Sequence, residues 1–367
     1  MTFRLEPVTG RRGLRDFCAV TDRVYRGDPR HIPMLRQQIR GLFRGAVPGV
    51  RLYVLRDAAG TAVARTTLHT DAAFDAKLGR ELQLFGCTEF ADGDGVSEAL
   101  FDAICAAGTA AGKAGVFGPV SLLPNQSGGV ITSGHDDRGF IDSAWNHPYY
   151  PAAYERYGFA SRFAADTWIC PVTADPDEVF RFDDARLAAE GLTLHRGDRR
   201  RIGTQLPILR EMLNASFAQL GYYTEISAEQ LARQTDGLAH LLDESLLLFL
   251  TKAGQPVAFV LCLPDISEYV ARVGGNLHVL NQLGLLLRRS RYRRDAVLII
   301  KGTVPGEQGH GYMRLLSREL LRNLRAGGYE TLRSTFVERV NPGSAAQYVA
   351  MGGRPLHGYT FYEKALP

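Results

Sequence analysis

A glycine-rich stretch in the second half of the chain, Gln308-Gly309-His310-Gly311-Tyr312-Met313, has residue types that could bind an anion. It follows an apolar segment, residues 296–304, that predicts a buried strand, and it precedes a helical pattern over residues 312–326. A helix N-terminus leaves about four backbone N–H groups unpaired and carries a partial positive charge. Glycines let an anion approach such a backbone closely. The stretch therefore predicts either a phosphate-binding loop or an ordinary strand-to-helix turn.

Three polar residues downstream of this stretch could take part in chemistry. Tyr348 lies four residues before Gly352, so a short helix that ends at the glycine is predicted to carry it. Asn341 precedes a proline, which is also the pattern of a helix N-cap. Glu338 follows a predicted strand over residues 331–337 and could accept a proton, although an exposed carboxylate has the same local sequence.

The order of predicted elements occurs twice along the chain. Each half begins with a hairpin, at residues 51–69 and 246–263, and continues with a buried strand, a glycine-rich loop, a helix and a further strand. Final strands are predicted near residues 167–172 and 359–364, and the join lies near residues 173–177. This pattern predicts two α+β domains, residues 1–175 and 176–367, each with a mixed central sheet flanked by helices.

The glycine-rich loop of the first half differs from that of the second half in charge. Residues 90–96 contain Asp92 and Asp94 and no cation, so they would repel a diphosphate. We therefore expect the first half to be degenerate for anion binding.

Composition excludes several classes of protein. The 367 residues are 45% hydrophobic and 22% charged, which is typical of a globular chain and not of a disordered one. No apolar run approaches the roughly 20 residues that cross a bilayer, and the N-terminus has no signal-peptide core. The five cysteines are scattered, which argues against a disulfide framework or a zinc site. We expect a cytoplasmic protein without a metal or a membrane partner, and its net charge of +4 permits an acidic ligand.

The whole pattern resembles the GNAT acyltransferase superfamily, and specifically bacterial proteins with two such domains in tandem. The phosphate loop of that family matches Gln308 to Met313, except that Met313 stands where a small residue is usual. Asn341, Tyr348 and Gly352 match its closing helix. In the first half, Asp28-Pro29, Gly118-Pro119 and the sequence from Tyr149 to Phe159 match the tandem subgroup.

The resemblance implies a set of site residues. Acetyl-CoA or another acyl-CoA would contact Thr303, Val304, Gln308, Gly309, His310, Gly311, Tyr312, Met313 and Asn341, with a backbone N–H of residues 302–304 facing the thioester carbonyl. Tyr348 would be the general acid for the leaving thiolate, unless it only packs in the core. The strand at 296–304 lacks the glutamate that many relatives use as a base and has only Lys301 as an ionisable group, so Glu338 is the substitute.

The function implied is that of an N-acyltransferase (class EC 2.3.1) that moves an acyl group from acyl-CoA to a small-molecule or peptide amine in a ternary complex. The first domain would shape the acceptor side. The arginines at 288, 289, 291, 293 and 294 leave open an acidic carrier protein or a tRNA as donor, because a basic cluster attracts either. A catalytically inactive CoA-binding module is a further alternative.

Overall fold

The fold is described from a computed structural model, which covers residues 2–120, 128–235, 242–292 and 294–367. The chain forms two compact units. The first comprises residues 1–165, 267–284 and 357–367, and the second comprises residues 166–266 and 285–356. Each unit is a mixed sheet flanked by helices, so the predicted α+β class is confirmed.

The first unit is built around a mixed sheet in the order β1-β2-β3-β4-β5-β14, with a parallel pair between β4 and β5 and antiparallel pairs elsewhere. Its elements are β1 (Arg4–Pro7), α1 (Gly10–Val24), α2 (Arg36–Phe43), β2 (Arg51–Arg56), β3 (Ala62–His69), α3 (Ala72–Leu78), β4 (Leu82–Phe90), α4 (Val96–Ala110), β5 (Gly115–Val120), β6 (Val130–Ser133), α5 (Tyr149–Arg156), the start of β7 (Ala160–Pro171), α10 (Ser267–Arg272), the first part of α11 (Val279–Leu287) and most of β14 (Arg354–Ala365).

The second unit has the same arrangement of strands, in the order β8-β9-β10-β11-β12-β7, with the parallel pair between β11 and β12. Its further elements are α6 (Pro176–Val179), α7 (Ala185–Ala189), β8 (Leu192–Arg196), α8 (Ile202–Phe217), α9 (Ala228–Thr235), β9 (Leu247–Lys252), β10 (Gln255–Pro264), β11 (Asp295–Thr303), α12 (Tyr312–Ala326), β12 (Thr331–Ser334), β13 (Val337–Glu338) and α13 (Pro342–Ala350).

Local sequence explains the hairpins that open each sheet. Between β2 and β3, Asp57 Oδ1 accepts hydrogen bonds from the backbone N–H groups of Ala59 and Thr61, and Gly60 takes the positive φ of 78° that closes the turn. Between β9 and β10, Gly254 does the same at φ 81°. Both predicted hairpins are therefore present.

Apolar side chains fill both faces of each sheet. In the second unit, Leu316, Leu320 and Leu324 lie on one face of α12 at helical spacing and are buried in the core against β9, β10 and β11. In the first unit α4 buries Leu100, Phe101 and Ile104 in the same way. Each unit has a second apolar cluster, formed with α1 and α2 in the first and with α8 in the second.

The last strand of each unit comes from an unexpected part of the chain. The prediction places residues 167–172 in the first domain and 359–364 in the second. In the structure β14 pairs with β5, with Tyr362 opposite Gly118. The second part of β7 pairs with β12, with Arg333 opposite Ile169. The two units thus divide the chain differently from the boundary at 175/176.

Candidate active site

The glycine-rich stretch forms the turn between β11 and α12 in the second unit. Gly309 has φ 84° and Gly311 has φ 81°, in the left-handed region that favours glycine. Gly311 is the N-cap of α12, and its carbonyl accepts from the N–H groups of Arg314 and Leu315. The N–H groups of Tyr312 and Met313 precede these donors and have no such acceptor among the described residues. The turn therefore presents unpaired donors at a helix N-terminus.

Met313, the residue that departs from the small-residue pattern, does not obstruct this turn. Its side chain is partly buried and packs against the hydrophobic core of the second unit. The long side chain therefore points into the core, while the backbone remains available at the start of the helix.

A cavity of about 480 Å³ lies in front of the turn, within the size range of small-molecule sites. Its charged lining includes Arg181, Arg186 and Arg314. Of the two acidic lining residues, Glu307 pairs with Lys252 at 3.0 Å, whereas Asp183 accepts, among the described residues, only a backbone N–H, from Ala185 at 3.0 Å, and so keeps its negative charge. The remaining lining residues are Phe182, Thr303, Gln308, Gly309, His310, Gly311, Tyr312, Met313 and Gln347.

Arg186 ties a segment distant in sequence to the turn. Its Nη2 donates to the carbonyl of His310 at 3.0 Å, and its Nε donates to Glu190 Oε1 at 2.5 Å. Tyr312 donates its hydroxyl to the other oxygen of Glu190 at 2.6 Å. Arg181 and Arg314, by contrast, have no ion-pair partner within the described ranges. These three arginines were missed by sequence analysis, and they make the cavity suited to a phosphorylated ligand.

Thr303 and Val304 occupy different environments. Thr303 lines the cavity, and its carbonyl accepts from Gln308 Nε2 at 3.3 Å. The N–H of Val304 donates to the carbonyl of Val257 at 2.9 Å. That donor is used within the protein, so it is not free for a ligand carbonyl as the resemblance implied.

Tyr348 lies behind the cavity and not in its lining. The side chain is 2% exposed, and its ring is stacked on Trp168 at 5.8 Å between centroids. Burial raises the pKa of the Tyr348 phenol, so it keeps its proton near neutral pH.

Lys301 and Gln347 connect Tyr348 to the cavity. Gln347 lines the cavity, and its Oε1 accepts from Lys301 Nζ at 2.8 Å. The same ammonium lies 4.3 Å from the centroid of the Tyr348 ring. Burial lowers the pKa of Lys301 to about 8. Lys301 therefore changes charge close to the pH at which a free thiol does.

Asn341 caps a helix. Its side-chain oxygen accepts from the backbone N–H of Ser344 at 3.2 Å at the start of α13, and Pro342 takes the first helical position. The residue is exposed and is not part of the cavity lining. In this structure the side chain positions α13, the helix that carries Tyr348.

Glu338 is a desolvated carboxylate at the end of β13. Burial raises its pKa, and its Oε1 has no hydrogen-bond partner in the described parts of the chain. Burial together with the nearby Glu338 raises the pKa of Tyr222. A partly buried carboxylate with an unused oxygen is able to accept a proton from a ligand. Glu338 does not line the cavity at the turn.

The arginine cluster after α11 is separate from the cavity lining. Arg288 and Arg291 are exposed, and Arg294 pairs with Glu330 at 2.8 Å. Arg293 and the side chain of Arg289 lie outside what the structure describes. Within the described ranges no group of three His, Cys, Asp or Glu residues could hold a metal ion.

The corresponding turn of the first unit also ends in a left-handed glycine at a helix N-cap, but its chemistry is different. Gly95, at φ 73°, is the N-cap of α4, as Gly311 is of α12. Asp92 and Asp94 precede it, and Glu98 lies in the first turn of the helix. The phenyl ring of Phe3 lies 3.6 Å from where a Cβ on Gly95 would be.

Beyond this turn, the first unit holds a buried carboxylate that sequence analysis missed. Glu89 Oε2, on β4, accepts from the hydroxyls of Tyr25 at 2.5 Å and Tyr150 at 2.8 Å, and Arg65 lies 3.9 Å from Oε1. Burial raises the pKa of Glu89. The available signal was that Glu89 is the single charged residue of β4, LQLFGCTEF.

Comparison with known proteins identifies the fold. No family model matches the chain. A tandem GNAT protein from the clavulanic acid biosynthesis pathway covers 99% of this chain and 98% of its own, with a TM-score of 0.61 and 13% identity. The chain has the tandem GNAT fold.

Two other structures with the GNAT fold also align with 99% of this chain. A GCN5-related N-acetyltransferase from Sphaerobacter thermophilus matches 99% of the chain and 95% of its own, with a TM-score of 0.56 and 10% identity. A fungal glucosamine N-acetyltransferase region aligns with 99% of the chain at a TM-score of 0.60 and 15% identity, and the match spans 38% of that longer protein.

Two curated proteins are similar in sequence. Protein YghO of Escherichia coli (strain K12) is 24% identical over 96% of this chain and 93% of its own length. Bacterial ceramide synthase of Caulobacter vibrioides (strain NA1000 / CB15N) is 24% identical over 77% of this chain and 75% of its own.

Proposed function

We propose that this protein is an N-acyltransferase that binds an acyl-CoA at the second unit and transfers the acyl group to an amine. The observation that carries the proposal is the turn at Gly309 and Gly311, whose helix N-terminus meets a cavity of about 480 Å³ lined by three arginines. Backbone donors and guanidinium groups together match the oxygens of a diphosphate. The tandem GNAT fold supports the same assignment.

The chain's own residues would divide the binding as follows. The N–H groups of Tyr312 and Met313 would face the diphosphate, and Arg181, Arg186 and Arg314 would neutralise its charge. Thr303, Gln308 and Gln347 line the same cavity and would orient the rest of the ligand. When bound, acyl-CoA supplies an acyl group activated as a thioester.

Proton transfer would fall to residues outside the cavity lining. Glu338 would take the proton of the attacking amine, because its carboxylate is desolvated and one oxygen is unused. Tyr348 would return a proton to the departing sulfur. Lys301 competes for this second role, because it contacts Gln347 in the cavity wall and its pKa of about 8 is near that of a thiol.

The acceptor proposed is an amine, and one relative narrows the candidates. Bacterial ceramide synthase is named for a ceramide, which is the N-acyl amide of a long-chain amino alcohol. We propose long-chain amino alcohols as the first acceptors to test, followed by small-molecule and peptide amines. A carrier-protein or tRNA donor and an inactive CoA-binding module are the competing proposals.

Thermal unfolding with and without CoA tests the cofactor assignment. Binding only the folded chain should stabilise it by about 2.7 kcal/mol when CoA is at a hundredfold excess over its dissociation constant. Gly311→Asp should abolish this shift, because it places a carboxylate at the diphosphate position on a φ of 81°. Asp94→Asn, at the matching turn of the first unit, is the control and should leave the shift unchanged. An equal shift in Gly311→Asp would place CoA elsewhere.

A further inference from the structure

Helix α11 presents its apolar side chains to solvent. Its five exposed aliphatic residues have exposed fractions between 37% and 85%. Their spacing of i, i+1, i+4, i+7 and i+8 places them on one face of the helix. They are Val279, Leu280, Leu283, Leu286 and Leu287, and we call this set the leucine face.

The opposite side of α11 is fixed to the protein. Tyr269 donates its hydroxyl to the carbonyl of Asn281 at 2.7 Å, and Gln282 Nε2 donates to the carbonyl of Leu277 at 2.9 Å. Leu285, on the same side, is 4% exposed. A surface helix of a globular protein normally turns its apolar residues inward. Here Leu285 and the backbone carbonyl of Asn281 face the protein, so the leucine face is held toward solvent in a fixed orientation.

The chain that follows the leucine face is strongly basic. Residues 276–294 contain five arginines and no aspartate or glutamate. Arg288 and Arg291 are exposed, and the structure shows no ion pair for either within the described ranges. An apolar face is therefore continued, within one helical turn of its end, by unpaired positive charge.

We infer that α11 docks this protein on an anionic lipid surface, with the leucine face in the acyl region and Arg288 and Arg291 at the headgroups. Interfacial helices combine these two features, and each basic residue near an anionic leaflet adds to the attraction. A tRNA or an acidic protein would account for the arginines and leave five exposed aliphatic side chains unexplained. The nine residues of α11 are too few to cross a bilayer, so the contact is peripheral.

Vesicle co-sedimentation of the full-length protein tests the inference. The protein should bind phosphatidylcholine vesicles that contain phosphatidylglycerol and should bind pure phosphatidylcholine vesicles much more weakly. Arg288→Gln with Arg291→Gln should weaken the partition roughly 30-fold, from about 1 kcal/mol per basic residue. Leu280→Gln with Leu287→Gln should weaken it by at least about tenfold, because two buried leucines are lost.

A matched control separates this surface from general hydrophobicity. Val340 is 83% exposed and lies on a different element, so Val340→Gln should bind vesicles like the unchanged protein. Circular dichroism of each variant establishes that it is folded. Equal vesicle binding by the leucine variant would overturn the inference. So would a failure of the unchanged protein to bind anionic vesicles. Self-association or tRNA binding that the same substitutions abolish would then assign the surface to that partner.

Discussion

At the scale of single residues, Tyr348 is placed where it could serve either packing or proton transfer. Tyr348→Phe keeps the ring on Trp168 and removes only the hydroxyl. If Tyr348 protonates the leaving sulfur, turnover should fall by about 10²–10⁴-fold while CoA affinity is unchanged. Thiol release from acyl-CoA in the presence of the acceptor measures both parameters.

The pH profiles of the unchanged protein and of Lys301→Met distinguish Tyr348 from its neighbour Lys301. Unchanged turnover would leave Tyr348 as a core residue. In that case the profile of rate against pH should have a limb near pH 8 in the unchanged protein, because the pKa of Lys301 is about 8. Loss of that limb in Lys301→Met would assign the proton transfer to Lys301.

For Glu338 we predict that one substitution raises the stability of the fold and lowers the activity. Because burial raises the pKa of Glu338 above its ordinary value of 4.5, the folded protein binds a proton there more tightly than the unfolded chain does. This contribution to stability is complete below the unfolded pKa and is lost as the pH rises through the folded pKa. Glu338→Gln resembles the protonated form.

Glu338→Gln should therefore unfold at higher denaturant concentration than the unchanged protein at pH 7, and at the same concentration below pH 4. Its turnover should drop, because the amide cannot accept the proton. Urea unfolding at the two pH values measures the first effect and steady-state kinetics the second. A variant less stable at pH 7 would show that the carboxylate has a stabilising partner.

At the scale of elements, the turn before α12 and the segment around α7 line one cavity, which we propose binds the phosphates of CoA. Arg181→Gln and Arg186→Gln should each weaken CoA binding about tenfold or more, because a charge-assisted hydrogen bond contributes about 1.5–3 kcal/mol. Arg325→Gln is a matched control, since Arg325 lies at the far end of α12 and donates to the carbonyl of Ala174. Isothermal titration calorimetry measures the CoA affinity of all three variants. If Arg181→Gln and Arg186→Gln bind CoA as tightly as Arg325→Gln, neither arginine belongs to the CoA site.

Sequence analysis predicted the turn of this site, but it did not predict the arginines that line the cavity beside the turn. The turn at Gly309 and Gly311 was predictable because glycines between an apolar strand and a helix are a local signal. Arg181 and Arg186 were not, because they precede the turn by more than a hundred residues in a polar segment and meet it only through tertiary packing. The hydrogen bond from the N–H of Val304 to the carbonyl of Val257 likewise depends on strand pairing.

At the scale of the whole molecule, strand membership was the part of the fold that sequence did not determine. Residues 167–172 and 359–364 both have a strand pattern, and either could complete either sheet. The pairing of β7 with β12 and of β14 with β5 joins segments that are far apart in the chain. The order of the other strands follows from hairpins and helix crossovers, which are local.

Two fragments of nearly equal length test this division of the chain. Residues 176–367 lack the part of β7 that pairs with β12, and with it the buried Trp168 and Cys170. Residues 166–356 retain that strand and omit the part of β14 that belongs to the first unit. We expect the second fragment to unfold cooperatively in urea and the first to be insoluble or to lack a transition. The reverse result would support the boundary at 175/176.

The strand β14 also sets the order in which this protein can mature on the ribosome. Residues 357–367 are synthesised after all the residues of the second unit, yet they belong to the first unit, where β14 pairs with β5. At translation rates of about 5–20 residues per second, roughly 10–40 s separate the emergence of residue 165 from that of residue 367. During this interval the edge of β5 is open, and exposed strand edges are what chaperones protect from aggregation. The first unit should therefore finish folding after the second unit, in contrast to the usual vectorial order of multidomain proteins.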